Sequence, residues 1–178
     1  MPAFASSARF GGLVAPVVLS AAAMLTVVSP AAALDAPRGE VLLRVTGDIS
    51  VSNDGNAAVF DREMLEALDP VTFETTTIWT DGVQEFTGVS LADLARILGV
   101  QSGNLRATAI NDYAIDVPVS DAVEGGPIVA YARNGVPMSV RDKGPLWIVY
   151  PYDANPDYRS EQIYTRSIWQ LDRIEVTE

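Results

Sequence analysis

Chemistry in this chain has to be built without sulfur nucleophiles or imidazole, because none of its 178 residues is cysteine or histidine. Zinc centres, haem held by His or Cys, copper sites and iron–sulfur clusters all lose their usual protein ligands. Nucleophilic triads lose both thiol and imidazole. Carboxylates, arginines, a single lysine, hydroxyls and aromatic rings remain. The carboxylates are many, yet no spacing among them brings two onto one substrate, so no catalytic residue is assigned. Asp153, Asn155 and Asp157 have the one-three-five spacing that opens a calcium loop. Pro156, Tyr158 and Tyr164 then fall where that loop needs flexibility, glycine and glutamate. A polar surface loop is expected there, and no metal site.

Two other groups could bind. Arg133, Arg141 and Lys143 stand out in an acidic chain, and Lys143 is its only lysine. If Asn134-Gly135 turns a hairpin and Val136 to Val140 runs extended, Arg133 and Arg141 are separated by roughly 17 Å. Arg141 and Lys143 can still cooperate across Asp142, with Gly144-Pro145 shaping the loop and amides near Gly144 adding donors for an anion. The alternative is an Arg141–Asp142 surface pair of little energetic weight. The second group is aromatic: Trp147, Tyr150, Tyr152, Tyr158, Tyr164 and Trp169 gather in the last third. Trp147 and Trp169 are expected in the core, while Tyr150-Pro151-Tyr152 is expected to emerge beside Asp153 as a partly exposed aromatic pocket.

The elements that position these groups read mostly as strands. Glu40–Ile49 alternates as a strand, and Asn53-Asp54-Gly55 turns it. Asp61 caps a short helix through Leu68, closed by Asp69-Pro70. Val71–Trp79 is rich in β-branched and aromatic residues, followed by the turn Thr80-Asp81-Gly82. Ser90 and Asp93 resemble a capping box for a helix from Leu91 to Leu98, stopped by Gly99, with Leu91, Leu94, Ile97 and Leu98 as its apolar stripe. Strands are expected over Leu105–Ile110 and Tyr113–Val117 around Asn111-Asp112. The hairpin Ile128–Arg133 to Val136–Val140 turns on Asn-Gly, which supplies positive φ angles. Leu146–Tyr150 reads as a central strand, Pro156–Tyr164 as a short helix or structured loop, and Ile168–Val176 as the closing strand.

The first residues read differently. Arg9 precedes an apolar run from Leu13 to Val28, and Ser29-Pro30-Ala31-Ala32-Ala33 follows. A weakly basic head, an apolar middle and small residues at the end predict a secretory signal cut after Ala33 or Ala36. The expected organisation is therefore a signal over 1–33 and a single domain over 34–178, exported to a periplasm or secreted. No later segment is long and apolar enough to span a bilayer. The formal charge is −11, and the signal would remove only the positive Arg9. Such acidity repels phosphate backbones and anionic lipid heads, which argues against nucleic-acid and membrane-surface roles. Without cysteine, stability has to come from packing rather than disulfides.

Four motifs in order resemble the molybdopterin-binding domain of the sulfite oxidase superfamily. They are Phe86-Thr87-Gly88-Val89-Ser90-Leu91-Ala92-Asp93-Leu94, Asn111-Asp112-Tyr113 through Pro118, Ile128-Val129-Ala130-Tyr131 through Asn134-Gly135-Val136-Pro137-Met138, and Gly144-Pro145-Leu146-Trp147-Ile148-Val149-Tyr150-Pro151. The resemblance covers roughly two-thirds of residues 34–178 and speaks to fold before activity. It implies a β-rich α+β fold of the sulfite-oxidase type, with mixed sheets and a few short helices. The same resemblance implies that a molybdenum-ligating cysteine would fall at Thr76 or Thr77, and that a His before Gly-Pro and an Arg after it would meet the cofactor. This chain has threonines, Asp142-Lys143 and the apolar Trp147 in those places, so soft sulfur ligation is lost.

The expectation is thus an exported, cofactor-free accessory or sensory module that binds a small anionic ligand or a protein partner. Its candidate contacts are Trp79, Asp81, Asn111, Asp112, Tyr113, Arg141, Asp142, Lys143, Tyr152 and Asp153. Two alternatives stand beside it. One is a molybdopterin-dependent oxidoreductase with non-cysteine coordination, molybdopterin being implied by the resemblance alone; the other is an acidic protein-interaction module.

Overall fold

The computed structural model describes residue 3 and residues 34–178; apart from residue 3, the predicted signal lies outside the described residues. The strands are β1 (Val41–Gly47), β2 (Ala58–Asp61), β3 (Pro70–Thr76), β4 (Val83–Ser90), β5 (Asn104–Ala109), β6 (Ala114–Pro118), β7 (Ile128–Arg133), β8 (Val136–Pro137), β9 (Leu146–Val149) and β10 (Trp169–Thr177). Among the described residues three short helices are interspersed: α1 (Arg62–Ala67), α2 (Leu91–Leu98) and α3 (Glu161–Arg166). All ten strands join one curled mixed sheet whose main path runs β2-β1-β10-β9-β7-β4-β3, with β5 and β6 branching from β10 and β8 from β7. The β1–β10 pair is parallel and the other pairs are antiparallel. The class is β-rich α+β.

Local chemistry fixes the helices as the sequence suggests. The Asp61 carboxylate caps α1 by accepting from the Met64 amide at 2.9 Å, and also accepts from the amides of Arg38 and Gly39. Those three donors hold its pKa below the ordinary value despite burial of the side chain. Ser90 caps α2, whose stop is Gly99 in the left-handed region at φ 76°. The buried face of α2 is Leu91, Leu94, Ala95 and Leu98; Ile97 is half-buried rather than part of that face.

The core is widest around β9. Leu146, Trp147, Ile148, Val149 and Tyr150 are all fully buried, which agrees with β9 sitting at the middle of the main path. Two glycines of the motifs have packing reasons. A Cβ on Gly88 would lie 2.2 Å from the Val129 carbonyl oxygen of β7, and one on Gly144 would lie 2.0 Å from the Met138 carbonyl oxygen. Backbone approaches backbone too closely at both places for any side chain.

Several expectations need correction. β2 and β4 are additional strands that alternation does not reveal: β2 is buried along its whole length, and β4 is interrupted by Gly88 and a register shift beside it. The Val136–Val140 strand ends at Pro137, after which Val140–Asp142 forms a 3-10 turn capped by Ser139. The extended path assumed between Arg133 and Arg141 therefore holds only as far as Pro137. The first expected strand is shorter at both ends than Glu40–Ile49, and β3 stops at Thr76, short of Trp79.

Candidate functional site

Three loops and the start of β10 meet at one end of the sheet and enclose a cleft of about 370 Å3. Its walls include Trp79 from the β3–β4 loop, Asn111 and Tyr113 from the β5–β6 turn, Tyr164 of α3, Ser167 from the α3–β10 loop, and Trp169 and Gln170 of β10. The β10 contribution depends on an irregularity. Pairing with β9 shifts register between Trp169 and Leu171, and Gln170 lies between them at φ 54°. Bulges of this kind re-aim side chains out of the regular pleat, and residues in the left-handed region are uncommon without glycine. Among the described residues, four that are not glycine have positive φ. Asn134 belongs to the hairpin turn; the other three, Asp112, Lys143 and Gln170, all border this end of the molecule. Strain of this sort collects where a site needs a set geometry.

Trp79 is the hub of the cleft's floor. Its ring meets Trp147, Tyr152, Tyr164 and Trp169 edge-on, with centroids 5.4 to 6.4 Å apart. Edge-to-face contact is the favoured geometry for such rings. The loop carrying Trp79 is held by its own hydroxyls and at its start by Asp153. The Trp79 amide donates to Thr77 Oγ1 at 3.1 Å, and the hydroxyls of Thr77 and Thr80 share a hydrogen bond of 2.8 Å. Asp153 accepts from the Thr76 amide at 2.6 Å, from Thr76 Oγ1 at 2.8 Å and from Arg159 Nη2 at 2.6 Å. The Thr76 amide, then the Thr76 hydroxyl and Arg159, lower the Asp153 pKa from its ordinary value, against a smaller opposing effect of burial.

Behind the cleft lies a closed polar string. Tyr152 Oη donates to Ser167 Oγ at 2.5 Å, Ser167 Oγ donates to the Ile163 carbonyl, and Trp147 Nε1 donates to the Ser167 carbonyl at 3.2 Å. Beside it, Asp121 Oδ2 accepts from Tyr150 Oη at 2.7 Å and from Arg166 Nη1 at 2.9 Å. Burial pushes the pKa of both tyrosines up, and for Tyr150 the Asp121 carboxylate pushes it further.

The sequence-predicted residues divide accordingly. Trp79, Asn111 and Tyr113 line the cleft together. Lys143 sits directly behind one wall, its Nζ 4.6 Å from the Trp169 ring centroid, and its carbonyl accepts from the Gln170 amide. Asp112 is turned to Arg173 as an ion pair with a largely exposed carboxylate. Asp142 is held by the Ser139 hydroxyl rather than by Arg141, and Arg141 and Asp81 are exposed away from the cleft lining. The Gly144 amide already donates to the Ser139 carbonyl, so it is not a spare anion donor. Tyr150, Pro151 and Tyr152 are buried, which corrects the expectation of an exposed aromatic pocket there; Tyr152 backs the cleft instead of lining it. Trp169, expected in the core with Trp147, is half-buried and forms a wall. Ser167 and Gln170 carry no mark in the sequence, and Tyr164 is marked only by the aromatic clustering of the last third.

The place where the resemblance would set a metal-binding thiolate is now explicit. Thr76 and Thr77 offer neutral hydroxyls, both already hydrogen-bonded to neighbours. Among the described residues no group of three or more Asp, Glu, Cys or His side chains is placed to hold a metal ion. Hard, engaged oxygens do not fit the soft ligation that molybdenum receives from sulfur. No helix of the described residues is long and apolar enough to cross a membrane. No protein-family model matches the chain, and no curated protein sequence matches it.

Proposed function

We propose that this chain is an exported small-ligand-binding module, accessory or sensory in role, built on a sulfite-oxidase-like scaffold and working without molybdenum. The observation that carries the reading is the β10 bulge at Gln170, which turns Trp169 and Gln170 into a cleft already bounded by Trp79, Asn111 and Tyr113. A bulge re-aims side chains out of the regular pleat, and here the re-aimed residues are ones that line the cleft. Concave sites with aromatic walls and a few polar groups are where small ligands bind, and about 300–1,000 Å3 is their usual size. The scaffold assignment rests on the four ordered motifs, two of whose glycines sit at close backbone contacts.

Metal and pterin analysis of the natively exported protein tests the cofactor-free reading. The expected result is molybdenum far below one equivalent and no pterin fluorescence after denaturation. Stoichiometric molybdenum with pterin would overturn it and return the chain to the oxidoreductases. Replacing Trp79 by alanine is expected to abolish ligand binding while the chain stays folded.

A further inference from the structure

What a ligand would meet in the cleft is set first by charge. The chain carries 23 acidic and 12 basic side chains, yet none of the ten residues lining the cleft is charged. Two formal charges border the space without lining it. Asp112, between the lining residues Asn111 and Tyr113, is paired with Arg173, and its side chain is 85% exposed. Lys143 lies behind the Trp169 wall with its ammonium over the indole rings. A charge brought into the cleft would lose hydration and gain no counter-ion, which is costly for either sign.

Hydrogen-bonding capacity is the second constraint. The Ser167 hydroxyl donates to the Ile163 carbonyl, the Thr165 hydroxyl to the Glu161 carbonyl, and Gln170 Nε2 to the Val140 carbonyl. Asn111 Oδ1 accepts from the Tyr113 amide. The other ends of the two side-chain amides, Asn111 Nδ2 and Gln170 Oε1, make no hydrogen bond among the described residues. They belong to neighbouring segments, since the Ile110 amide donates to the Gln170 carbonyl at 2.9 Å. A polyhydroxylated ligand needs a partner for each hydroxyl that it desolvates. The amides and aliphatic hydroxyls of the cleft leave it one free donor group and one free acceptor, beside the four rings of Trp79, Tyr113, Tyr164 and Trp169.

We infer that the ligand is an uncharged, flat aromatic molecule with one polar group that both donates and accepts, as a phenolic hydroxyl does. Its ring packs against the aromatic walls, Asn111 Nδ2 donates to its polar group, and Gln170 Oε1 accepts from that group. This identification rests on the cleft being the binding site, and it adds the ligand's charge and hydrogen-bonding pattern.

Calorimetric titration of the purified chain at neutral pH with 2-naphthol, 2-methoxynaphthalene, 2-naphthoate, 2-naphthylmethylammonium and glucose separates the two levels. 2-Naphthol should bind about tenfold tighter than either ion and about fivefold tighter than the methyl ether, which lacks the donor; glucose should show no measurable binding. Asn111→Asp keeps the oxygen that accepts from the Tyr113 amide and replaces the free donor by a negative charge. It should weaken 2-naphthol about tenfold and make the ammonium the tightest of the naphthalene compounds. Gln170→Met should erase the preference for 2-naphthol over its ether. An ion or the ether matching 2-naphthol in the unaltered chain, measurable glucose binding, or selection unchanged in both variants overturns the inference and leaves the cleft as a site for another ligand class. If none of these compounds binds, the cleft reading fails and the inference falls with it.

Discussion

Tyr150 and Tyr152, just after β9, and Tyr113 and Trp169, around the cleft, belong to the same residue classes but differ in how their surroundings complete them. The first pair is buried, and each hydroxyl has a partner, Asp121 for Tyr150 and Ser167 for Tyr152. The second pair is less covered, Tyr113 being 52% exposed and Trp169 only partly buried. The same division separates the cations. Arg166 is paired to Asp121 with both side chains largely covered, while Lys143 rests on indoles without a counter-ion. Saturated polar groups hold a structure together; unsaturated ones beside a cavity are left for something else to complete.

That contrast gives its largest expected effects at the two tryptophans. Trp147→Ala should lower unfolding stability by about 3–5 kcal/mol in chemical denaturation, since it empties a fully buried site. Trp169→Ala should lower it by less, about 1–3 kcal/mol, because part of its surface already meets water, yet should abolish ligand binding. Similar stability losses for both variants would erase the distinction between core and cleft.

Asp153 joins the two regions, since it fastens the Trp79 loop to the turn after β9 that carries Tyr152. Asp153→Ala is expected to cost about 1–2 kcal/mol in the same assay and to weaken ligand affinity through a looser Trp79. Unchanged affinity with reduced stability would show that the loop is held by its threonine bonds alone.

The pH dependence follows from the same groups. The carboxyl groups of Asp153 and Asp61 are held below their ordinary value of 3.8, so protonation weakens the folded state only. Their stabilisation is full above the unfolded value and is lost as pH falls beneath it. Tyr150 and Tyr152 are raised above their ordinary value of 10.0, so the unfolded chain ionises first and stability declines as pH rises past that point. Thermal midpoints should therefore be flat from about pH 5 to 9 as far as these groups are concerned, falling on either side. A decline confined to the neutral range would contradict this assignment. The smallest expected effect is Tyr152→Phe, about 1 kcal/mol of stability with ligand affinity unchanged, measured by denaturation and titration.

Much of the fold was legible because local signals agreed with the final structure. Asp61 and Ser90 as caps, Gly99 as a stop, the Asn134-Gly135 turn and the central position of Leu146–Val149 all follow from residue type and spacing. β2 was hidden because all four of its residues are buried, which removes the alternation that marks a strand. The cleft was half legible. Trp79, Asn111 and Tyr113 sit at turns, where exposure can be anticipated from flanking residues. Trp169 and Gln170 could not be assigned to it, since a bulge in a strand of otherwise regular pattern is decided by how β9 and β5 pair with it. The burial of Tyr152 was missed for a related reason: its partner Ser167 is remote in sequence and reaches it only through the fold.

The indole N–H signals of the three tryptophans offer the most direct test of whether the cleft is the site. During titration of the labelled chain with 2-naphthol, a planar uncharged ring used as a probe, the signals of Trp79 and Trp169 should shift together, saturate with one dissociation constant, and move further than that of Trp147, whose Nε1 is held by the Ser167 carbonyl. Saturable binding that leaves Trp79 and Trp169 unmoved would contradict the account.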